Sequence, residues 1–534
     1  MATDQGTTRE TAETADDPLP LGLTVAAAAV AVAVLLPLVW LFRTAFGVGA
    51  SEAVALLTRP TTVEVFLNSA LLVAGVTGAS ILLGVPLAYL TVRTDLPFAR
   101  FWTVAVSLPL VIPSYIGAFA FVSAFGPQGA FQRLLAPIGI ESLPEIYGFH
   151  GAVLVLTLYT YPYVYITTRA ALKSLDTTLI DAARTLRHSR REAFRHITLP
   201  HIRPAVAAGA LLVALYTLSD FGTPAIMQFD AFTRVIYVEF NAFGRDTATL
   251  LSLQLVALTV FILALESKVS GDERTAGGGR SSDVVELGAW TLPALALCAA
   301  VATLALVVPI GILLTWLGDG TSAIGQGLAF RTEYALNSVA VAAAAAFVAT
   351  VAGLPVAYLA AKRDSTIGYL SERATYVGYA VPGVVLGLAL VFLGTTVATP
   401  IYQTTFLLVF AYVVRFLPQA VGSLRASFLR VDPALPEAAR TLGRTPVGAF
   451  RSVTLPLVAP GLLGGAALVF LTTMKELPAT LLLRPSGFKT LVVHIWTAYS
   501  SGYFGQAAVP ALILLGVSGL SMLVILSQEG YDVR

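Results

Sequence analysis

A single cysteine, Cys298, and five histidines are nearly all the soft ligand chemistry in this chain. Cys298 sits inside an apolar run, which excludes both a disulfide framework and a cysteine-based metal site. No HExxH or clustered carboxylates appear either. Charge is as scarce: only 12% of the 534 residues are charged, 56% are hydrophobic and the mean hydropathy is +0.79. A water-soluble protein of this length cannot cover so much apolar surface with so few charges, so most of it faces lipid. The net charge of +2 leaves no basic surplus for nucleic acid. The lysines at 173, 268, 362, 475 and 489 follow Leu, Ser, Ala, Met and Phe. None completes the Gly-Lys of a phosphate-cradling Walker A loop, so any ATP chemistry belongs to another chain.

What the chain does have is apolar runs of about 20 residues, each long enough to cross a bilayer core. They fall at 20–42, 65–91, 101–126, 148–170, 204–228 and 247–266, then at 287–316, 334–361, 374–397, 403–424, 457–482 and 506–527. The expectation is an all-α polytopic membrane protein of two six-span units, at 19–266 and 286–534. A Gly/Ser-rich linker, "SKVSGDERTAGGGRSSD", joins them within 267–285. Residues 1–18 read as a disordered acidic tail, because Asp4, Glu10, Glu13, Asp16 and Asp17 oppose Arg9 alone, the wrong sign for an export signal. Most Lys and Arg fall on one side when the N-terminus is placed in the cytosol, which puts both termini there in the cell membrane.

The two units repeat each other. "LNSALLVAGVTGASILLGVPLAYL" (67–90) aligns with "LNSVAVAAAAAFVATVAGLPVAYL" (336–359) at an offset of 269, and Pro113 falls on Pro382. From Pro162 and Pro418 onward the offset is 256, because the first unit has a longer external loop near 126–148. Six spans is an even number, so both copies insert the same way round, related by an axis along the membrane normal.

Each unit carries one basic cytosolic segment: "DAARTLRHSRREAFRHITLP" (181–200) and "EAARTLGRTPVGAFRSVTLP" (437–456). Insertion topology alone explains their charge but not their ordered pattern. In both, an acidic residue and two alanines precede Leu-Pro at a fixed distance, and a capping aspartate (Asp176, Asp432) opens the segment. A short surface helix of this kind docks into a partner's groove.

The two segments resemble the EAA loop of permease subunits of binding-protein-dependent ABC importers: E-A-A, three residues, G, nine residues, I-x-L-P. The second keeps Glu437, Ala438, Ala439, Gly443, Leu455 and Pro456, with Val453 for Ile. The first has Asp181 for Glu, keeps Ala182, Ala183, Ile197, Leu199 and Pro200, and has Arg187 where Gly is expected. The resemblance implies that each loop carries a helix coupling the permease to a cytosolic ATPase. It further implies two ATPase copies, an extracytoplasmic substrate-binding protein, and ATP and Mg held by the ATPase, with no cofactor in this chain and no enzyme activity of its own.

"SDFGTPAIMQF" (219–229) and "MKELPATLLLRPSGF" (474–488) occupy equivalent places after the loops. Asp220, Gly222, Pro224, Lys475, Glu476 and Pro478 are the candidate translocation path, since ionisable groups and backbone breaks within spans face a polar interior. A salt bridge or helix cap without cargo contact is the alternative for the charges. Together with "LYTYPYVY" (158–165), these motifs resemble the fused permeases of iron(III) importers, which implies iron(III) or a small iron chelate as the cargo. The same architecture imports thiamine, aminophosphonates or other small solutes, and a secondary transporter or intramembrane enzyme is the reading from a different class. The residues themselves name no iron site. His188, His196 and His201 read as solvated, and Tyr161, Tyr163 and Tyr165 as membrane-interface anchors.

Overall fold

The computed structural model describes residues 21–126, 129–139, 144–176, 185, 189–270, 284–318, 329–361 and 366–528. The acidic tail and most of the linker lie outside them. Helices account for the architecture, and the only β pairing among the described residues is an isolated bridge between Thr94 and Val285.

In the first unit the helices are α1 (Leu21–Phe46), α2 (Pro60–Arg93), α3 (Ala99–Ser107), α4 (Ser114–Phe125), α5 (Gly148–Ser174), α6 (Leu199–Ser219), α7 (Gly222–Ile226), α8 (Phe232–Asn241) and α9 (Arg245–Ser270). The second unit opens with α10 (Thr291–Ala302) and α11 (Val308–Gly318), continuous through a π turn. It continues as α12 (Thr332–Ala361), α13 (Thr366–Ala380), α14 (Gly383–Thr396) and α15 (Thr405–Phe428). The second basic segment supplies α16 (Ala434–Thr441) and α17 (Pro446–Ala449), and after it come α18 (Leu455–Met474), α19 (Pro478–Leu483), α20 (Leu491–Ser500) and α21 (Phe504–Gln528).

Among the described residues, eight helices are long and apolar enough to cross a membrane, and two bent pairs bring the number to as many as ten. The expected straight spans at 101–126 and 374–397 are instead elbows: α3–α4 bends by 96° and α13–α14 by 101°. Pro113 and Pro382, paired at the 269 offset, stand immediately before α4 and α14, where a ring and a missing N–H end a helix and start the next. The runs expected at 148–170 and 506–527 form α5 and α21, of 27 and 25 residues. Helix α5 is the more polar of these because protein surrounds it. Fourteen of its residues are buried, including Thr157, Thr160 and Thr168. This also corrects the reading of its tyrosines as interface anchors. Tyr161 donates to the Val106 carbonyl at 2.6 Å, and Tyr165 is 3.0 Å from the Thr91 hydroxyl, both inside the bundle.

The units exchange their first helices. Ala27, Val34, Leu38 and Leu41 of α1 join the core of Val341, Ala345 and Val384 in the second unit. Conversely, Cys298 of α10 packs in a core with Val106 and Tyr161, and Trp316 of α11 lies 4.7 Å from the ring of Phe119. The far end of the linker is fastened as well. Val285 N donates to Arg93 O at 2.8 Å, Asp95 N donates to Val285 O at 3.2 Å, and Leu287 N donates to the Asp95 carboxylate at 2.8 Å.

Because each unit buries apolar surface only the other can cover, cutting the chain at Gly278 should leave two co-expressed fragments that co-purify in detergent. Each fragment expressed alone should be lost to proteolysis. Co-expressed fragments that separate would mean the covalent connection, not the exchanged helices, holds the halves together.

Candidate functional site

The second cytosolic segment is built as a protruding hairpin. The Asp432 carboxylate accepts from Ala434 N at 2.9 Å and Pro433 precedes the first turn, so α16 starts with a cap and a preset φ. No residue of α16 is buried. Glu437 stands in its first turn and Arg440 in its last, each complementing the helix dipole. Gly443 then turns the chain at φ +88°, a left-handed conformation that costs a side chain but not glycine. The Thr445 hydroxyl accepts from Gly448 N at 3.1 Å and caps α17. A π turn, Phe450–Thr454, leads into α18 at Leu455-Pro456. Leu435, Leu442 and Val447 are 47%, 86% and 62% exposed, apolar groups that no part of the described chain covers.

Of the first segment, Asp181, Ala182, Ala183 and Arg187 lie outside the described residues. The part that is described repeats the pattern. Ser189 and Glu192 form a reciprocal cap, with Ser189 N to the Glu192 carboxylate at 2.8 Å and Glu192 N to Ser189 Oγ at 3.3 Å. A π turn at Phe194–Thr198 then leads into α6 at Leu199-Pro200. The two π turns are equivalent at the 256 offset.

At their far ends α6 and α18 both stop inside the bundle. The helix ends at Ser219 in one and Met474 in the other, short of the expected 228 and 482, and the chain restarts as α7 and α19. Gly222 and Pro478 open these short helices, and Pro224 lies within α7. Both carboxylates cap the restart. Asp220 accepts from Thr223 N at 2.9 Å and Glu476 from Ala479 N at 3.2 Å. Both freed carbonyls are satisfied by threonines, Asp220 O by Thr233 Oγ1 at 2.7 Å and Glu476 O by Thr480 Oγ1 at 2.5 Å.

The second carboxylate oxygen ties each break to the elbow of its unit, by different chemistry. Asp220 accepts from Ser114 Oγ at 2.5 Å, and Ser114 in turn accepts from Tyr216 at 3.3 Å. Glu476 instead meets Arg415 Nε of α15 at 3.3 Å, and Arg415 also donates to Val381 O at 3.4 Å. The position equivalent to Ser114 is Gly383, where a Cβ would collide with both Glu476 Oε1 and Arg415 Nη1. The ion pair therefore fits only because that side chain is absent. Lys475 turns the other way and donates to Leu110 O of the first unit at 3.2 Å. Sequence reasoning placed Asp220, Glu476 and Lys475 but did not single out Ser114, Tyr216, Gly383 or Arg415. The available signal was an arginine inside an apolar run, which has to have a partner.

Two repeated helical units, each entering a span through a π turn and breaking that span at its far end in a capped polar turn, define a polytopic membrane permease of duplicated architecture. The sequence profile described as "Binding-protein-dependent transport system inner membrane component" matches residues 80–323 and again 353–532, and the chain belongs to that family. It is a multi-pass cell-membrane permease subunit, not an enzyme. It is 31% identical to an Fe(3+)-transport system permease protein of Haemophilus influenzae, over 95% of this chain and 98% of that protein. It is 26% identical to a ferric transport system permease protein of Actinobacillus pleuropneumoniae, over 90% and 74%. A molybdenum transport system permease protein of Mycobacterium tuberculosis is 29% identical, over 39% of this chain and 80% of its own length.

The two carboxylates should respond differently to neutralisation. Glu476→Gln strands the Arg415 guanidinium and should cost about 3–5 kcal/mol, read as a severe loss of membrane-inserted protein. Asp220→Asn faces only neutral donors and should cost about 1 kcal/mol, with abundance near wild type. Quantifying both variants in membranes checks this; normal abundance of Glu476→Gln would show that the ion pair does not secure the break.

Proposed function

We propose that the chain is the permease of an ATP-driven importer that carries iron(III) delivered by an external binding protein. The observation that carries the coupling half of this reading is α16 with its flanking turn. It is a capped helix with no buried residue, and its Leu435 and the flanking Leu442 and Val447 are exposed apolar groups inside a basic frame. A cytosolic ATPase with a complementary cleft would cover it. One ATPase copy sits on each segment, at 181–200 and 437–456, and ATP and magnesium reside on that partner. Closure of the ATPase pair draws the two segments together and turns the path from inward- to outward-facing. Both termini are cytosolic. Iron(III) as cargo is supported by the ferric permeases that match nearly all of the chain.

Glu437 lies on the exposed first turn of α16, so Glu437→Arg should leave folding within about 0.5 kcal/mol of wild type. It adds a like charge to a basic docking segment and should lower ATPase co-purification about tenfold or more. Pull-down of the ATPase from membranes with matched permease levels tests this. Undiminished association together with wild-type iron uptake would remove the coupling role of α16.

A further inference from the structure

Four ionisable side chains meet at the broken spans, and three have built partners. Asp220 is held by Ser114 and Thr223 N, and Glu476 by Arg415 and Ala479 N. Arg415 is held by Glu476 and Val381 O. Lys475 is the exception. It is half-buried, its one hydrogen bond goes to the Leu110 carbonyl, and no carboxylate among the described residues lies within ion-pair distance. An ammonium has three N–H donors, so two remain for something else. Pseudo-symmetry does not require the charge, because the equivalent residue of the first unit is Ser219. The elbow that supplies Leu110 also carries Tyr115, which is 5% exposed and whose hydroxyl has no hydrogen-bond partner.

A bare trivalent cation does not suit this cluster. Both carboxylates are already engaged, Glu476 with the Arg415 guanidinium and Asp220 with Ser114, and the described residues contain no group of three or more His, Cys, Asp or Glu. Iron(III) is a hard ion that requires several oxygen ligands, and here they have to travel with it.

We propose that Lys475 receives an oxyanion of the cargo, so that iron crosses as a chelate bearing free carboxylate or phosphate oxygens. This rests on the iron reading above and specifies its substrate class. A charged donor on a carboxylate or phosphate oxygen gives a short, strong contact, while a neutral amide in its place gives a weaker one.

The test uses the full chain in lipid nanodiscs for binding of citrate and of pyrophosphate without iron, and the complete transport complex in cells for uptake of radioiron supplied with either. Lys475→Gln keeps an N–H for Leu110 O and removes the charge; Lys475→Arg keeps the charge. At matched abundance, Lys475→Gln should bind the oxyanion about tenfold more weakly and import correspondingly less iron, with Lys475→Arg close to wild type. The probe with the larger loss distinguishes carboxylate from phosphate. Wild-type protein that binds neither probe, or Lys475→Gln that binds and imports like wild type, overturns the proposal. Oxyanion binding that depends on Lys475 while wild type imports no iron upholds the anion site and removes the iron reading. Iron import that ignores Lys475 does the reverse.

Discussion

A helix that breaks inside a bilayer frees backbone groups that no water can satisfy, and the centre of this protein is arranged around that constraint. At both breaks a carboxylate caps the N–H groups of the restarting helix and a threonine hydroxyl takes the carbonyl left behind, Thr233 from α8 in one and Thr480 from α19 itself in the other. The breaks are thus fixed features of the fold, and the groups that stabilise them make the interior of the bundle polar there. What distinguishes the two units is how the second oxygen of each carboxylate is used.

Duplication makes that divergence readable position by position. Ser114 corresponds to Gly383, Tyr159 to Arg415 and Ser219 to Lys475, so one unit has a Tyr216–Ser114–Asp220 hydroxyl relay where the other has an ion pair. The next layer differs too. Tyr163 and Tyr216 pack with ring centroids 6.1 Å apart, whereas their equivalents Gln419 and Thr472 share a 3.0 Å hydrogen bond. Backbone architecture is preserved while side-chain chemistry has drifted apart. That pattern fits a fused pair free of the symmetry two identical chains would impose. A cargo need not meet two equal walls.

Much of this was legible before any coordinates. Apolar runs located nearly every span, because bilayer thickness sets helix length and composition reports it directly. The capped entry into α16 and the Leu-Pro entries into α6 and α18 followed from side-chain chemistry local to a few residues. What escaped was tertiary. The elbows at Pro113 and Pro382 lie within unbroken apolar runs, so hydropathy could not separate a bend from a crossing. Helices α8 and α20, between break and final span, read as loop because they are only 10 residues long. The exchange of α1 with α10–α11 has no sequence signal, since either unit offers an equally apolar surface. The Arg415–Glu476 pair joins residues 61 positions apart, and only the gap left by Gly383 shows that it fits.

The same geometry connects the two candidate sites. Helix α18 begins at the end of the cytosolic segment and ends at the break, and its 20 residues span about 30 Å at 1.5 Å per residue. It is gripped along its length by α15. A Cβ on Gly461 would collide with Ser427, and Ser423 donates to Gly461 O at 2.8 Å. Helix α15 is the helix that carries Arg415. A displacement of the segment therefore has a stiff route to Lys475 and Glu476, and a second through α15 to the other side of the same ion pair. The π turn at the base of α18, repeated at the base of α6, widens the helix where the segment joins the span, a feature that recurs at functional sites. Because the break is tied to its own elbow through Glu476 and to the opposite unit through Lys475, motion arriving along α18 reaches both units at once. The basic segment and the polar break are in this sense two ends of one packed pair of helices.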